Sequence, residues 1–233
     1  MRATVTFGEL FGARLATRLG VSTLFSSIIE IAPVLIPTRF GYHEPLGRHF
    51  SLDAIAEAAE KLTTGPLIWN RRSPASEGTL FPRSSASPFD SLYLSAGSIS
   101  EDMCGRLVEL LIDLGDEFDG HFGYVHPAVE GQAALPDYAN TLMPFQRGLA
   151  WKRMEVRLPS VAWGMLFGTK MTEKIGRAKL LASPVFRAEE LNGRIYVQIT
   201  EKAGEVVTLG HESARRDLVR YLGPDVVAQS ETV

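Results

Sequence analysis

A cluster of acidic and histidine side chains near the middle of the chain is the part of the sequence best suited to chemistry. Its members are Asp113, Asp116, Glu117, Asp119, His121 and His126. Neutral imidazole and carboxylate groups both coordinate divalent metals, so His121, His126 and Asp119 could serve a metal-dependent hydrolase. The spacing of the two histidines crosses a turn containing Gly120 and Gly123 and does not match the strong zinc motifs. We therefore expect no metal or other cofactor and keep the hydrolase as an alternative.

The carboxylates that begin this cluster break a local rule of helix electrostatics. Asp116 and Glu117 fall in the last turn of a predicted helix, where the helix dipole makes each carboxylate unfavourable by roughly 0.3–1 kcal/mol. A local rule broken without visible compensation can mark a functional surface. We therefore predict that Asp113, Asp116, Glu117 and Asp119 bind a basic protein partner. The ordinary alternative is a solvated helix end that contributes only solubility.

The helix that carries these acids has the clearest pattern in the sequence, and we predict it over residues 101–118 with Ser100 as its N-cap. Its apolar residues repeat at helical spacing: Met103, Leu107, Leu110, Leu111, Leu114 and Phe118. Downstream, Asn192-Gly193 separates two strand-like segments, 185–191 and 194–200. This dipeptide predicts a hairpin, because a type I′ turn needs positive φ at both central positions.

Less regular stretches complete the secondary-structure prediction. Thr6 followed by Glu9 resembles a capping box and favours a helix over 7–19. The β-branched run 28–36 favours a buried strand. Further strands are expected at 67–72, 78–81, 91–95, 122–126 and 161–167, and further helices after Ser51, over 172–181 and over 211–222.

Strands that come in pairs, with single helices between them, predict an α+β fold. We expect an antiparallel or mixed sheet with helices packed mainly on one face. The length of 233 residues fits a single domain over 1–233, with a candidate N-terminal subregion 1–65 and a frayed tail at 225–233. Two proline-containing loops, 73–88 and 127–148, could become ordered when a partner binds, which the sequence leaves open.

Composition argues against several classes of protein. The chain has 24 basic and 27 acidic residues, a net charge of −3, whereas a general nucleic-acid binder carries a basic excess. Three arginines on the predicted polar face of the last helix, Arg215, Arg216 and Arg220, do not change that expectation. The most apolar stretch, 19–37, contains serines and a glutamate, so no membrane span is expected.

The remaining sequence signals are mostly negative. There is no P-loop, dinucleotide-binding fingerprint, nucleophile elbow or paired zinc spacing. Cys104 is the single cysteine, so an intramolecular disulfide is excluded, and we expect a buried, inert thiol. The N-terminus lacks a basic segment leading into an apolar one, so no signal peptide is expected, and these features together favour a cytoplasmic location.

Residues 158–168, Leu-Pro-Ser-Val-Ala-Trp-Gly-Met-Leu-Phe-Gly, resemble a segment of a bacterial immunity protein family that belongs to polymorphic-toxin and type VI secretion systems. The family continues with a Leu-Leu-Ser-x-Pro-like segment, to which Leu-Leu-Ala-Ser-Pro at 180–184 is similar. A hairpin with an Asn/Asp-Gly turn follows, matched here by 191–200. Upstream, Phe-Gly-Tyr-Val-His at 122–126 is similar to the family's Gly-Tyr-Val-His type of segment.

This likeness covers roughly residues 90–200 and, more loosely, Trp-Asn-Arg-Arg at 69–72. Gly164 departs from the pattern, because a larger or polar residue is expected there. Membership would imply a cytoplasmic α+β protein without catalysis that binds and blocks a cognate toxin. We therefore hypothesise a toxin-binding immunity protein of unknown oligomeric state. A metal-dependent hydrolase is the alternative, and an assembly factor whose loops order on binding is a third, weaker hypothesis.

Overall fold

A ten-stranded antiparallel sheet forms the centre of the computed structural model, which describes residues 3–60, 62, 65–85, 87–128 and 157–228. The strands are β1 (Ala3–Gly12), β2 (Arg39–Gly41), β3 (Arg48–His49), β4 (Leu67–Arg72), β5 (Ala75–Phe81), β6 (Asp90–Ile99), β7 (Phe122–Ala128), β8 (Gly164–Phe167), β9 (Arg187–Leu191) and β10 (Arg194–Gln198). Their order across the sheet is β3-β2-β4-β5-β6-β1-β7-β8-β10-β9. The predicted α+β class with an antiparallel sheet is confirmed.

Six α-helices are found within the described residues: α1 (Arg18–Ile31), α2 (Leu52–Ala59), α3 (Glu101–Glu117), α4 (Thr169–Ile175), α5 (Arg177–Leu181) and α6 (Leu209–Leu222). Two short 3-10 helices accompany them at Pro33–Leu35 and Ala203–Val207. The prediction for α3 is confirmed, because Ser100 Oγ accepts a hydrogen bond from the Met103 amide (3.2 Å). None of the described helices is long and apolar enough to cross a bilayer.

Each face of the sheet has its own hydrophobic core, because neighbouring residues of a strand point to opposite faces. Leu10 and Val125 belong to a core covered by α1, α2 and α3. Phe11 and Tyr124, their neighbours along the chain, belong to a second core covered by α4, α5 and α6. The sheet therefore lies between two layers of helices: the α1–α3 layer across one face and the α4–α6 layer on the other. The prediction that the helices pack mainly on one face was wrong, because both faces of the central strands are apolar.

A glycine allows α3 to lie close to the sheet. A Cβ atom at Gly115 would sit 2.2 Å from Cδ2 of Leu166 on β8, far inside van der Waals contact. Glycine weakens a helix by about 1 kcal/mol relative to alanine, but at this position it permits close packing of the helix on the sheet. The exposed side of α3 therefore belongs to a helix that is closely packed on the sheet.

Two predictions for the N-terminal region were wrong. The predicted helix 7–19 is β1 up to Gly12, and it pairs with both β6 and β7. The predicted strand 28–36 is instead the end of α1 followed by a 3-10 helix, because Leu24, Phe25 and Ile28 form the buried face of a helix whose true N-cap is Thr17. Tertiary packing outweighed the local preferences in both segments.

Other predicted irregular segments contain regular structure. Strand β5 occupies residues 75–81 of the predicted loop 73–88 and so extends the strand predicted over 78–81. The second predicted loop, 127–148, begins with the last two residues of β7, and its remainder lies outside the described residues. Residues 225–228, the first part of the predicted frayed tail, are docked, since Val227 is buried and bridges to Leu158. Strand β1 lies at the centre of the sheet, so residues 1–65 share their sheet with the rest of the chain.

Candidate functional site

Three carboxylates form a line along the exposed side of α3. Glu109, Asp113 and Glu117 follow one another at intervals of four residues, which places them on one helix face about 6 Å apart along the axis. All three are exposed, and within the described part of the chain no ion pair reaches any of them. We call these three residues the acidic ridge.

The two other predicted carboxylates, Asp116 and Asp119, share one guanidinium supplied by the hairpin between β9 and β10. Arg194 Nη1 donates to Asp116 Oδ1 (2.9 Å), and Arg194 Nη2 donates to Asp119 Oδ1 (3.1 Å). Asn192 Nδ2 adds a hydrogen bond to Asp116 Oδ2 (3.0 Å). Arg194 therefore compensates the Asp116 carboxylate at the end of α3, whereas Asp113 and Glu117 remain open to a partner.

The two helical layers carry opposite net charge. Within the ranges of α1, α2 and α3 there are nine acidic and two basic residues, a net charge of −7. Within α4, α5 and α6 there are three acidic and seven basic residues, a net charge of +4. Although the overall composition is nearly neutral, the helical layers on the two sides of the sheet differ strongly in charge. The acidic ridge lies on the negative layer.

Exposed apolar side chains occur on the negative side as well. Leu19 and Ile29 of α1 are 77% and 42% exposed. Helix α1 packs beside α3, where Arg106 Nη1 donates to the Ile31 carbonyl (3.3 Å). Interfaces combine apolar contacts with a polar or charged rim, and this layer offers both.

The two histidines singled out in the sequence are held in separate surroundings. His121, half-buried in the turn before β7, stacks on Phe89 with ring centroids 4.6 Å apart. Burial, together with the nearby Lys170 ammonium, lowers the pKa of His121 to about 4. His126 is fully buried in β7, and its Nδ1 accepts a hydrogen bond from the Trp163 amide (3.2 Å). Burial, together with His211, lowers the pKa of His126 to about 3.

Asp119, His121 and His126 do not come together as a metal centre. Among the described residues, no group of three or more histidine, cysteine or carboxylate side chains is placed to hold a metal ion. Both imidazoles are uncharged at neutral pH, which metal coordination requires, but each ring makes separate contacts within the fold. The geometry of the described residues therefore offers no support to the hydrolase alternative.

A buried polar cluster near the end of β7 was missed by the sequence prediction. Glu212 and Arg215 of α6 form a bidentate pair with N–O distances of 2.9 and 2.8 Å, and both side chains are almost fully buried. His211 lies beside them, and its Nδ1 is 3.3 Å from Thr200 Oγ1. Burial lowers the pKa of His211 to about 4. The prediction that Arg215 lies on a polar face was wrong, and its three-residue spacing from Glu212 was the available signal.

A small apolar cavity lies beneath α3. It has a volume of about 40 Å³ and lies between α3 and the sheet, lined by side chains such as Leu110, Leu114, Trp69 and Leu92. Sites for drug-sized molecules occupy roughly 300–1,000 Å³. This cavity is therefore a packing defect, and the exposed surface of the α1–α3 layer is the better candidate for function.

Comparison of the chain with protein-family models gave no match, and comparison with curated proteins also gave none. The resemblance of residues 90–200 to immunity proteins therefore stays a prediction.

Proposed function

We propose that this chain is a non-catalytic immunity protein that binds a cognate bacterial protein toxin through the α1–α3 layer and neutralises it by occlusion. The observation that carries the proposal is the separation of charge between the two helical layers, with the acidic ridge exposed on the negative one. A concentrated negative field attracts a basic surface and raises the association rate, as in other steered complexes.

The chemistry of the layer favours a basic protein surface as its partner. The net charge of −7 repels nucleic acid, whose backbone is itself anionic. Leu19 and Ile29 supply exposed apolar area that a protein partner can bury. A layer that carries both carboxylates and exposed apolar side chains suits a toxin surface that combines lysine or arginine side chains with hydrophobic area.

The acidic ridge is also preorganised for binding. Helix α3 is capped by Ser100 at one end and held by Arg194 at the other, while its apolar stripe is buried against the sheet. Because the surface is already ordered, little conformational entropy is lost when a partner binds it. This rigidity supports a blocking role, which requires tight binding without catalysis.

The proposal is tested first by co-purification of the protein from its native cell, with mass spectrometry of whatever accompanies it. Recovery of a small lethal enzyme that the protein inhibits at a one-to-one ratio is the expected result. Recovery of the protein alone, from cells in which a toxin is produced, contradicts the proposal.

The surface is tested with charge-reversed variants and the purified partner. We expect Asp113→Lys with Glu117→Lys to slow association at low salt by about tenfold or more, because steering depends on local charge. Asp116 is left unchanged because it holds Arg194. The matched control reverses two exposed carboxylates elsewhere, Glu173→Lys with Glu201→Lys. If both double variants slow association equally, the effect is due to net charge, which contradicts the assignment of the acidic ridge as the binding surface.

A metal-dependent hydrolase that uses His121, His126 and Asp119 remains the alternative proposal. Metal analysis of the purified protein and an assay for hydrolysis separate the two functions. Stoichiometric metal, with activity that disappears in His121→Ala, would support the hydrolase and contradict the binding protein.

A further inference from the structure

The ten-stranded sheet ends in two unequal edges. Of the strands that the structure describes, β3 and β9 each have a neighbour on one side only, β2 and β10 respectively. Strand β3 has two residues, whereas β9 has five and runs beside β10 over its whole length. A strand at the edge of a sheet is a template on which another strand can pair. Of these two edges, β9 is the one long enough to do so.

The outer side of β9 carries the backbone groups of Ala188 and Glu190. The two-residue turn between β9 and β10 makes Leu191 and Arg194 a hydrogen-bonded pair, and hydrogen-bonded and non-hydrogen-bonded pairs then alternate along the strands. Every second residue of β9, counted back from Leu191, therefore bonds to β10. The amides and carbonyls of Ala188 and Glu190 point away from β10 and are the groups that an added strand would meet.

The side chains of β9 make this edge selective. Arg187 and Glu189 lie on one face of the strand and form an ion pair, and the Arg187 guanidinium also lies 5.3 Å from the centroid of the Tyr196 ring. Glu190, on the other face, pairs with Arg177 of α5. Charged side chains keep unrelated strands off an edge. A strand that places a carboxylate opposite Arg187 and a cation opposite Glu189 is attracted instead.

We propose that β9 pairs antiparallel with β9 of a second copy of this chain, about a two-fold axis between the two Ala188 residues. In this register the two Ala188 residues exchange N–H···O bonds, and each Arg187 lies opposite Glu189 of the other copy. These opposed positions are of the non-hydrogen-bonded kind, in which Cα atoms are about 4.5 Å apart and side chains are closest. The sequence Arg-Ala-Glu at 187–189 is therefore complementary to itself.

The charges favour this register over its neighbours. A shift that centres the pairing on Glu189 or on Arg187 places like charges directly opposite each other, which is destabilising. Ala188 is small and uncharged, so nothing is repelled at the axis itself, and Phe186, 55% exposed just before β9, adds apolar surface next to it. A pairing of this length buries less area than a standard interface, so we expect a dimer with a Kd on the order of 100 µM.

The association is measured by sedimentation equilibrium of the purified full chain at about 10 µM to 1 mM. We expect a monomer–dimer equilibrium. Ala188→Pro removes the outward-facing amide without removing a bond to β10, so it should raise the Kd about tenfold or more. A native chain that is monomeric throughout this range overturns the proposal, and so does an Ala188→Pro dimer as tight as the native one.

Two charge variants, checked for folding by circular dichroism, test the register directly. Glu189→Arg places two arginines opposite each other and Arg187→Glu places two glutamates opposite each other, so each variant alone should remain monomeric. In an equimolar mixture, a chain with two arginines meets a chain with two glutamates, and a heterodimer should form with about the native Kd. Glu57→Arg, which reverses an exposed carboxylate on α2, is the matched control and should dimerise like the native protein.

The mixture separates pairing through β9 from other modes of self-association. Dimers formed through the oppositely charged helical layers would persist in both charge variants, and that result overturns the pairing through β9. Failure of the mixture to associate, when each variant alone is monomeric, overturns it as well. These measurements use the protein alone, so their outcome is independent of the proposed toxin.

Discussion

The two helical layers on either side of the sheet use their charges in opposite ways. In the α1–α3 layer the ion pairs are exposed, as between Arg18 and Glu60, and the acidic ridge faces solvent. In the α4–α6 layer one ion pair, Glu212 with Arg215, is buried beside two neutral histidines, in addition to exposed pairs such as Arg220 with Asp217. Charge on the first layer is accessible to a partner, whereas the buried charge of the second is part of the interior.

This difference has an energetic meaning. Exposed ion pairs contribute about 0–1 kcal/mol, because water and salt screen them. Breaking a buried pair by removing one partner costs about 3–5 kcal/mol, because the remaining charge is left without compensation. The fold should therefore tolerate changes on the α1–α3 layer and be sensitive to changes in the buried cluster.

Glu212→Gln should be the most damaging of these substitutions. It leaves the Arg215 guanidinium buried without its carboxylate, and we expect a loss of about 3 kcal/mol in the free energy of unfolding. Glu60→Gln, which breaks the exposed pair with Arg18, is the control and should cost less than about 1 kcal/mol. Urea unfolding followed by tryptophan fluorescence measures both, and similar losses would contradict the contrast between the layers.

Stability should also fall as the pH is lowered below neutrality. The pKa of His126 is lowered to about 3 and that of His211 to about 4, so between roughly pH 6.5 and pH 4 the unfolded chain binds protons that the folded protein does not. Each of these histidines then removes up to about 1.4 kcal/mol of stability per pH unit. Above pH 6.5 their contribution is fully present.

Urea unfolding at several pH values checks this dependence. The slope of stability against pH should decrease in His126→Gln and in His211→Gln. The exposed His49 provides the matched control, and His49→Gln should leave the slope unchanged. An unchanged slope in both buried variants would show that other groups set the acid sensitivity.

Arg194→Gln should have an intermediate effect on folding stability, because Arg194 connects the β9–β10 hairpin to the end of α3. It removes two charge-assisted hydrogen bonds, to Asp116 and Asp119, and restores the unfavourable carboxylate at the helix terminus. We expect a loss of about 1–2 kcal/mol. Arg220→Gln on α6 breaks an exposed pair with Asp217 and should cost less than about 1 kcal/mol, which thermal unfolding would measure.

Asp113→Lys should have the smallest effect on folding stability, and that effect should be stabilising. The substitution replaces two like-charge contacts along α3, with Glu109 and Glu117, by attractive ones worth about 0.2–0.5 kcal/mol each. Stability should therefore rise by up to about 1 kcal/mol at low salt, even as partner binding weakens. Stability lower than that of the native protein would contradict the description of the ridge as three uncompensated carboxylates.

The sequence was informative where a local pattern decides the structure. The apolar stripe and the Ser100 cap predicted α3, and Asn192-Gly193 predicted the hairpin, where φ is +49° and +79° at the two positions. Both elements depend on residues that are close in sequence. The predicted acids were indeed placed at the exposed side and end of α3.

The sequence failed where distant segments decide. The helix predicted over 7–19 became β1, because its hydrogen bonds are made with β6 and β7. Arg194 lies 78 residues from Asp116, so no local pattern could reveal that it compensates this carboxylate. Likewise, His126 and His211 meet only through the packing of α6 on the end of β7.

The central position of β1 has a consequence for the order in which the molecule can be completed. Residues 39–99 supply the strands on one side of it, and residues 122–198 supply those on the other. A ribosome therefore produces this strand long before either neighbour exists, and β1 is paired along both edges only after β7 has emerged at residue 128. Long-range closure of this kind slows folding, and until then β1 has an unpaired edge that is open to self-association.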